Sequence, residues 1–171
     1  MLRIYLTNLG KYNEGILQGE WLDLPATDDE IEACKERIGI DDRYEEWFIT
    51  DYETDVHGLT VDEYDNLNDL NDLAEAIEED PAAAEALIFF GYDTAEEIAE
   101  GLKDVIYITT LQGAEDEDTA IGYYFAEECG MLDKVPDDIK RYFDYEAYGR
   151  DIRLNGSFYT TEAGEIYEVV R

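Results

Sequence analysis

The chain has 171 residues, of which 45 are Asp or Glu and 12 are Lys or Arg, so its formal net charge is −33 with its one histidine neutral. This charge excludes binding to DNA, RNA or an anionic membrane by charge neutralisation, since those partners require a basic face. Hydrophobic residues make up 45% and aromatic residues 13% of the chain, a composition that excludes a disordered acidic tail.

The first 60 residues predict an antiparallel sheet with one helix. A turn over 11–15 joins the first two strands as a hairpin, because it contains Asn13 and Gly15. Thr27 and Glu30 have the spacing of a capping box, which predicts the start of a helix. Runs of apolar and β-branched residues predict three strands, over 3–9, 16–24 and 45–51.

The next segment predicts several short helices and contains the highest density of acids. Positions 60–104 include 15 acids and one base, Lys103. Capping residues predict helix starts at Thr60, at Thr94 and at Asp80, which precedes a proline. Apolar residues recur at helical spacing, at Leu67, Leu70, Leu73, Ala74, Ile77, Leu87, Ile88, Ile98 and Leu102.

After residue 104 the pattern alternates between strands and helices. We predict strands over 104–110 and 165–170, and helices over 119–129 and within 136–149. Asn155-Gly156 lies between two alternating runs and predicts a two-residue hairpin turn. The prediction is therefore an α+β fold of three small units: an N-terminal sheet with a helix (1–60), a central acidic bundle of short helices (61–104), and C-terminal helices with an antiparallel sheet (105–171).

The sequence predicts a location in the cytoplasm and no catalytic chemistry. No run approaches the roughly 20 apolar residues of a membrane span, and the N-terminus lacks a signal-peptide pattern, so we expect a cytoplasmic protein with no membrane partner. Cys34 and Cys129 are far apart in sequence, which favours two buried free thiols; a disulfide between them is the alternative. His57 has no cysteine near it in sequence, and no glycine-rich phosphate loop is present. We expect no enzyme activity, no catalytic residue, no metal and no cofactor.

The charge has several interpretations. Solubility requires a net charge of only about 2–8. Adaptation to high salt, as in a halophilic protein of other function, also explains the acids, as does an acidic binding module such as a chaperone for a basic protein. Mimicry of a DNA duplex is the fourth interpretation: at one charge per ~1.7 Å of B-DNA axis, 33 charges correspond to ~56 Å of duplex.

Carboxylates at helical spacing of three or four residues form a dense row, which suits the mimicry of phosphates. The predicted phosphate mimics are Asp62, Glu63, Asp65, Asp69, Asp72, Glu75, Glu78, Glu79, Asp80, Glu96, Glu97, Glu100, Asp104, Glu115, Asp116, Glu117 and Asp118.

Four segments resemble the ArdA antirestriction proteins of conjugative plasmids and transposons: NLGKYNEGILQGEW (8–21), DYE (51–53), TVDEY (60–64) and YEAYGRDIRLNGSF (145–158). The resemblance implies a bacterial cytoplasmic protein that mimics bent B-DNA. Such a protein would occupy the DNA groove of type I restriction–modification enzymes, as the methyltransferase core or the full complex, and block restriction and often modification. It would act as an elongated homodimer of three-domain subunits and would not bind nucleic acid itself.

The motif residues are mostly not acids, so we interpret them as turn glycines and core aromatics: Asn8, Gly10, Tyr12, Gly15, Gly19, Trp21, Tyr145, Tyr148, Gly149 and Gly156. A dimer of subunits with charge −33 needs a locally apolar contact. Ile121, Tyr124 and Phe125 share one helical face and Tyr123 adds an aromatic ring, which predicts the dimer interface there. The alternative is that this stripe packs against strands of its own subunit.

Overall fold

The computed structural model describes residues 1–108 and 116–171, and these divide into two compact units, Met1–Leu102 and Lys103–Arg171. The predicted α+β class is confirmed: helices accompany two antiparallel sheets of three strands each. The predicted boundary after residue 104 falls close to this division, whereas the boundary after residue 60 lies inside the first unit. The three-unit organisation stays a prediction.

The first unit is built on a sheet with its first strand in the middle. Strand β1 (Leu2–Asn8) pairs with β2 (Gly19–Leu24) on one side and with β3 (Trp47–Thr54) on the other. Ile4 lies opposite Leu22 and Tyr52 in the two ladders. This register places the apolar side chains of β1 in the core, where Leu2, Ile4 and Leu6 are buried.

Two helices accompany this sheet. Helix α2 (Asp28–Arg37) begins at the predicted capping box, in which the Thr27 hydroxyl accepts from the Glu30 amide and the Glu30 carboxylate accepts from the Thr27 amide. The hydrogen bonds that the Glu30 carboxylate accepts from the Thr27 amide and the Thr27 hydroxyl lower the pKa of Glu30. The predicted turn over 11–15 is wrong in part, because the Asn8 side chain accepts from the Lys11 amide and starts a short helix, α1 (Leu9–Asn13).

Three helices complete the first unit: α3 (Leu67–Glu79), α4 (Pro81–Phe89) and α5 (Ala95–Gly101). The predicted starts at Asp80 and Thr94 are confirmed, since both side chains accept hydrogen bonds from the first turn. The predicted start at Thr60 is wrong. The Glu63 carbonyl accepts a hydrogen bond from the Ile49 amide of β3, so the backbone around Glu63 lies against the sheet. The residue that caps α3 is Asn66, six residues after Thr60.

The second unit contains the other sheet, in the order β4 (Val105–Ile108), β6 (Ile166–Val169), β5 (Phe158–Thr160). Helix α6 (Glu117–Tyr123) continues as a π-turn over Tyr124–Glu128 and is followed by α7 (Asp137–Lys140) and α8 (Tyr145–Asn155). The core of the unit contains Ile108, Ala120, Ile121 and Ile166.

The predicted hairpin at Asn155-Gly156 is wrong. Helix α8 extends to Asn155, and the Gly156 amide donates to the Ile152 carbonyl as part of the last turn. The Asp144 side chain caps the start of this helix, and Arg153 forms an ion pair with Asp118 of α6. These contacts stabilise helix where the local alternation predicts strand. Both cysteines are free as expected, but only Cys34 is buried and Cys129 is exposed.

Candidate acidic interaction surface

Helix α3 separates its apolar side chains from its carboxylates. It buries Leu67, Leu70, Leu73, Ala74 and Ile77. On the other side Asp72, Glu75, Glu78 and Glu79 are exposed, and Asp69 is half-buried. Because a helix rises about 1.5 Å per residue, the row from Asp69 to Glu79 is about 15 Å long. The burial of the apolar stripe therefore forces a row of carboxylates toward solvent.

Further carboxylates lie on α5 and on the segment before α3. Glu96, Glu97 and Glu100 are exposed on α5, whose Ala95 and Ile98 are buried. Before α3, Asp62 and Glu63 are exposed and Asp65 is half-buried, accepting from the Asp62 amide at 2.9 Å. We define the helical acidic surface as Asp62, Glu63, Asp65, Asp69, Asp72, Glu75, Glu78, Glu79, Glu96, Glu97 and Glu100.

The helical acidic surface has no internal cations. Four cations of the N-terminal sheet region already form ion pairs there: Arg3 with Asp23 and Glu53, Lys35 with Glu32, Arg37 with Glu20, and Arg43 with Glu14. By contrast, no carboxylate of the helical acidic surface forms an ion pair with any residue in 1–108 or 116–171. Its negative charge is therefore available to a partner.

The other predicted phosphate mimics are placed differently. Asp80 caps α4 by accepting from the Ala82 and Ala83 amides, and Asp116 caps α6 by accepting from the Thr119 amide. Glu117 and Asp118 both contact Arg153, at 3.7 and 2.5 Å. Asp104 is exposed in the second unit, and Glu115 lies outside the described residues. Capping and pairing give four of these carboxylates a role within the fold.

The predicted dimer stripe is partly inside its own unit. Ile121 is fully buried, and Tyr124 and Phe125 pack partly against the same core. The half-buried Tyr123 lies 5.4 Å from the Tyr145 ring. The Tyr145 hydroxyl donates to Glu127 at 2.6 Å, and this hydrogen bond to the neutral phenol raises the pKa of Tyr145 to about 12. Tyr123, Tyr124 and Phe125 keep some accessible surface, whereas Ile121 has none.

Four of the motif residues have structural roles, as the sequence suggested, whereas Tyr12 is 50% exposed and is not a core aromatic residue. A Cβ at Gly19 would clash with the Leu6 carbonyl, and one at Gly149 would overlap the Asp118 carbonyl. The Trp21 ring packs edge-on against Tyr5. Asn8 is fully buried; its amide donates to the Ile38 and Gly39 carbonyls while its oxygen caps α1. These residues hold strands and helices together.

Replacing Asn8 with Ala is expected to lower the free energy of unfolding by about 2–3 kcal/mol. The change removes a helix cap and leaves buried carbonyls without a donor. Urea denaturation measures the effect, with the exposed Asn13→Ala as the matched control. Equal effects of the two substitutions would contradict the role assigned to Asn8.

Within 1–108 and 116–171, no three His, Cys, Asp or Glu side chains form a group that could hold a metal ion. None of the helices in these ranges combines the length and apolar character required to cross a membrane.

The fold and the unpaired carboxylates define an acidic α+β protein whose exposed chemistry suits a positively charged partner. The family model for antirestriction protein (ArdA) matches residues 4–167. The chain therefore belongs to the ArdA family of antirestriction proteins, which are inhibitors. Membership of this family implies interaction with type I restriction enzymes. No curated protein matches the sequence.

Proposed function

We propose that this protein inhibits type I restriction–modification enzymes by mimicking B-form DNA. It occupies the DNA-binding groove, blocks restriction and modification, and catalyses no reaction itself. The helical acidic surface supplies the phosphate mimics, and the protein acts in the cytoplasm on the methyltransferase core and on the full complex. The observation that carries this proposal is a surface of eleven carboxylates without one internal ion pair among the described residues.

The spacing of the carboxylates on α3 supports the proposal. The row Asp69, Asp72, Glu75, Glu79 has four charges along about 15 Å of helix axis, or one per about 5 Å. One strand of B-DNA has a phosphate per ~3.4 Å of axis. A groove lined with Lys and Arg for a DNA strand therefore meets about two-thirds of the charge density of that strand on this helix.

Salt dependence distinguishes this proposal from its alternatives. Binding to a purified methyltransferase core, measured by fluorescence anisotropy, is expected to weaken steeply between low and high salt, because the contacts are charge pairs screened by ions. Binding unchanged by salt would contradict the proposal. A halophilic protein of other function would instead need high salt to fold, and an acidic chaperone would bind unrelated basic proteins as tightly as the enzyme.

Changing Asp72 alone to Asn is expected to leave inhibition nearly intact. An exposed charge contact contributes about 0–1 kcal/mol, so the inhibitory concentration should rise by less than about 5-fold. Titration of DNA cleavage against the variant measures this. Loss of all inhibition in a folded Asp72→Asn protein would indicate a single essential group instead of a distributed charge surface.

We also propose that the protein is a homodimer, because a second copy extends the mimic along a long DNA site. Tyr123, Tyr124 and Phe125 supply the contact, since the net charge of −33 requires a locally apolar interface.

Changing Tyr124 to Glu is expected to split the dimer, and Tyr124→Phe is expected to preserve it. Sedimentation velocity at micromolar concentration reads the oligomeric state, with circular dichroism as the check of folding. The unmodified protein sedimenting as a monomer would refute the homodimer.

A further inference from the structure

A cleft of about 750 Å³ lies in the first unit between α2 and the N-terminal end of α3. On the α2 side it is lined by Asp28, Glu32 and Lys35, which share one helix face at spacings of three, four and seven residues. Trp47 at the start of β3, and Tyr64 and Asp65 before α3, complete the walls that matter here. Three carboxylates and two aromatic rings thus surround a space that contains one cation of the chain.

One end of this cleft already binds a cationic group. The Lys35 ammonium lies 2.7 Å from a Glu32 oxygen and 5.9 Å from the centre of the Trp47 ring. The Lys35 side chain is only 22% exposed. An ammonium group between a carboxylate and an indole face is a favourable arrangement, with both an ion pair and a cation–π contact. The chain's own lysine therefore shows which chemistry these walls accept.

The same cleft contains a second aromatic ring, which no cation of the described residues covers. Tyr64 is 70% exposed, and its ring is held by stacking at 6.4 Å on the buried Phe48. Asp28 and Asp65 also line the cleft, and neither forms an ion pair with a residue of the described ranges. The cleft therefore combines an exposed aromatic ring with two carboxylates whose charge no cation of the described residues neutralises.

We propose that this cleft receives an arginine side chain of the protein's partner, on the Tyr64 ring. A guanidinium is planar, stacks on an aromatic face and donates paired hydrogen bonds to a carboxylate, so it matches Tyr64 with Asp28 or Asp65 better than an ammonium does. The inference rests on the proposed function in one respect, since a DNA-binding partner is a protein rich in exposed arginine. The cleft then adds a desolvated anchor to a surface that otherwise binds by screened charge.

Nuclear magnetic resonance titration with acetyl-arginine amide tests the site without any restriction enzyme. We expect a saturable shift of the Trp47 indole N–H signal, and none for Trp21, which lies outside the cleft against Arg3. Acetyl-lysine amide should bind more weakly. The Tyr64→Ala variant should weaken arginine binding by about 10-fold, whereas Tyr142→Ala, which removes an 80% exposed ring of the second unit, should have no effect.

Equal shifts at both tryptophans, no saturation, or unchanged binding by the Tyr64→Ala variant would overturn the inference. Binding to the methyltransferase core supplies a second measurement. There Tyr64→Ala should raise Kd by about 10-fold without changing the salt dependence, because the ring contributes no charge. Since the first experiment contains no enzyme, the arginine site and the proposed function can fail independently.

Discussion

Inhibition is expected to fall by about 100-fold when Asp69, Asp72, Glu75 and Glu79 are together changed to Asn and Gln. Each exposed charge contact contributes up to about 1 kcal/mol, so the four together contribute up to about 4 kcal/mol, and coupling between charges only about 5 Å apart lowers this sum to about 3 kcal/mol, the value that a 100-fold loss represents. The folded state should not suffer, because none of the four forms an ion pair within the described residues and their mutual repulsion disappears. Titration of DNA cleavage by a type I enzyme measures the loss.

The matched control removes four exposed carboxylates of the same unit from outside the helical acidic surface: Glu36, Asp42, Glu45 and Glu46. It changes the net charge by the same amount, so it separates the position of the charges from their number. We expect its effect to be at least 10-fold smaller. Equal losses in both variants would mean that bulk charge alone is responsible, and this would contradict a phosphate-mimicking row on α3.

Changing Gly149 to Ala is expected to destabilise the second unit by about 3 kcal/mol. A Cβ at Gly149 would overlap the Asp118 carbonyl of α6, and one at Gly122 would overlap the Tyr145 carbonyl of α8. The two helices thus touch backbone to backbone, and a methyl group forces them apart in a packed core. Hydrogen exchange of the α6 and α8 amides measures the change in this unit directly.

Gly164→Ala serves as the control for this effect. Gly164 has a φ of +85° and open space around its Cβ position, so its substitution adds backbone strain of about 1 kcal/mol without any overlap. The difference between the two variants isolates the helix–helix contact. An effect of Gly149→Ala no larger than that of Gly164→Ala would contradict the close crossing of α6 and α8.

The sequence predicted those parts of the fold that depend on neighbouring residues. The Thr27 capping box and Asp80 with Pro81 define helix starts within four residues, and both are confirmed. The prediction of a hairpin at Asn155-Gly156 is wrong because Gly149 packs α8 against α6. This contact between distant parts of the chain stabilises the helix. The prediction of a helix start at Thr60 is wrong for a similar reason, since the carbonyl of nearby Glu63 is hydrogen-bonded to β3.

In the candidate site, too, the features set by neighbouring residues follow from the sequence and the long-range contacts do not. The sequence predicts the apolar stripe of α3, and helical periodicity then predicts that Asp72 and Glu75 face outward. The sequence does not predict the ion pair of Asp118 with Arg153, because the two residues are 35 positions apart. This ion pair gives Asp118, a predicted phosphate mimic, a structural role within the fold. The sequence does not predict the cleft, because Trp47 and Tyr64 come to line it only through tertiary packing. The one local signal for it is the spacing of acids along α2.

DNA mimicry requires that the protein and DNA occupy the same site on the enzyme. A methyltransferase core bound to a fluorescent duplex, titrated with the protein and followed by anisotropy and sedimentation, tests this most directly. We predict that the duplex is released in proportion to added protein, that the apparent Kd rises with DNA concentration, and that no complex contains all three components. A ternary complex in which the duplex stays bound while cleavage is inhibited would contradict DNA mimicry.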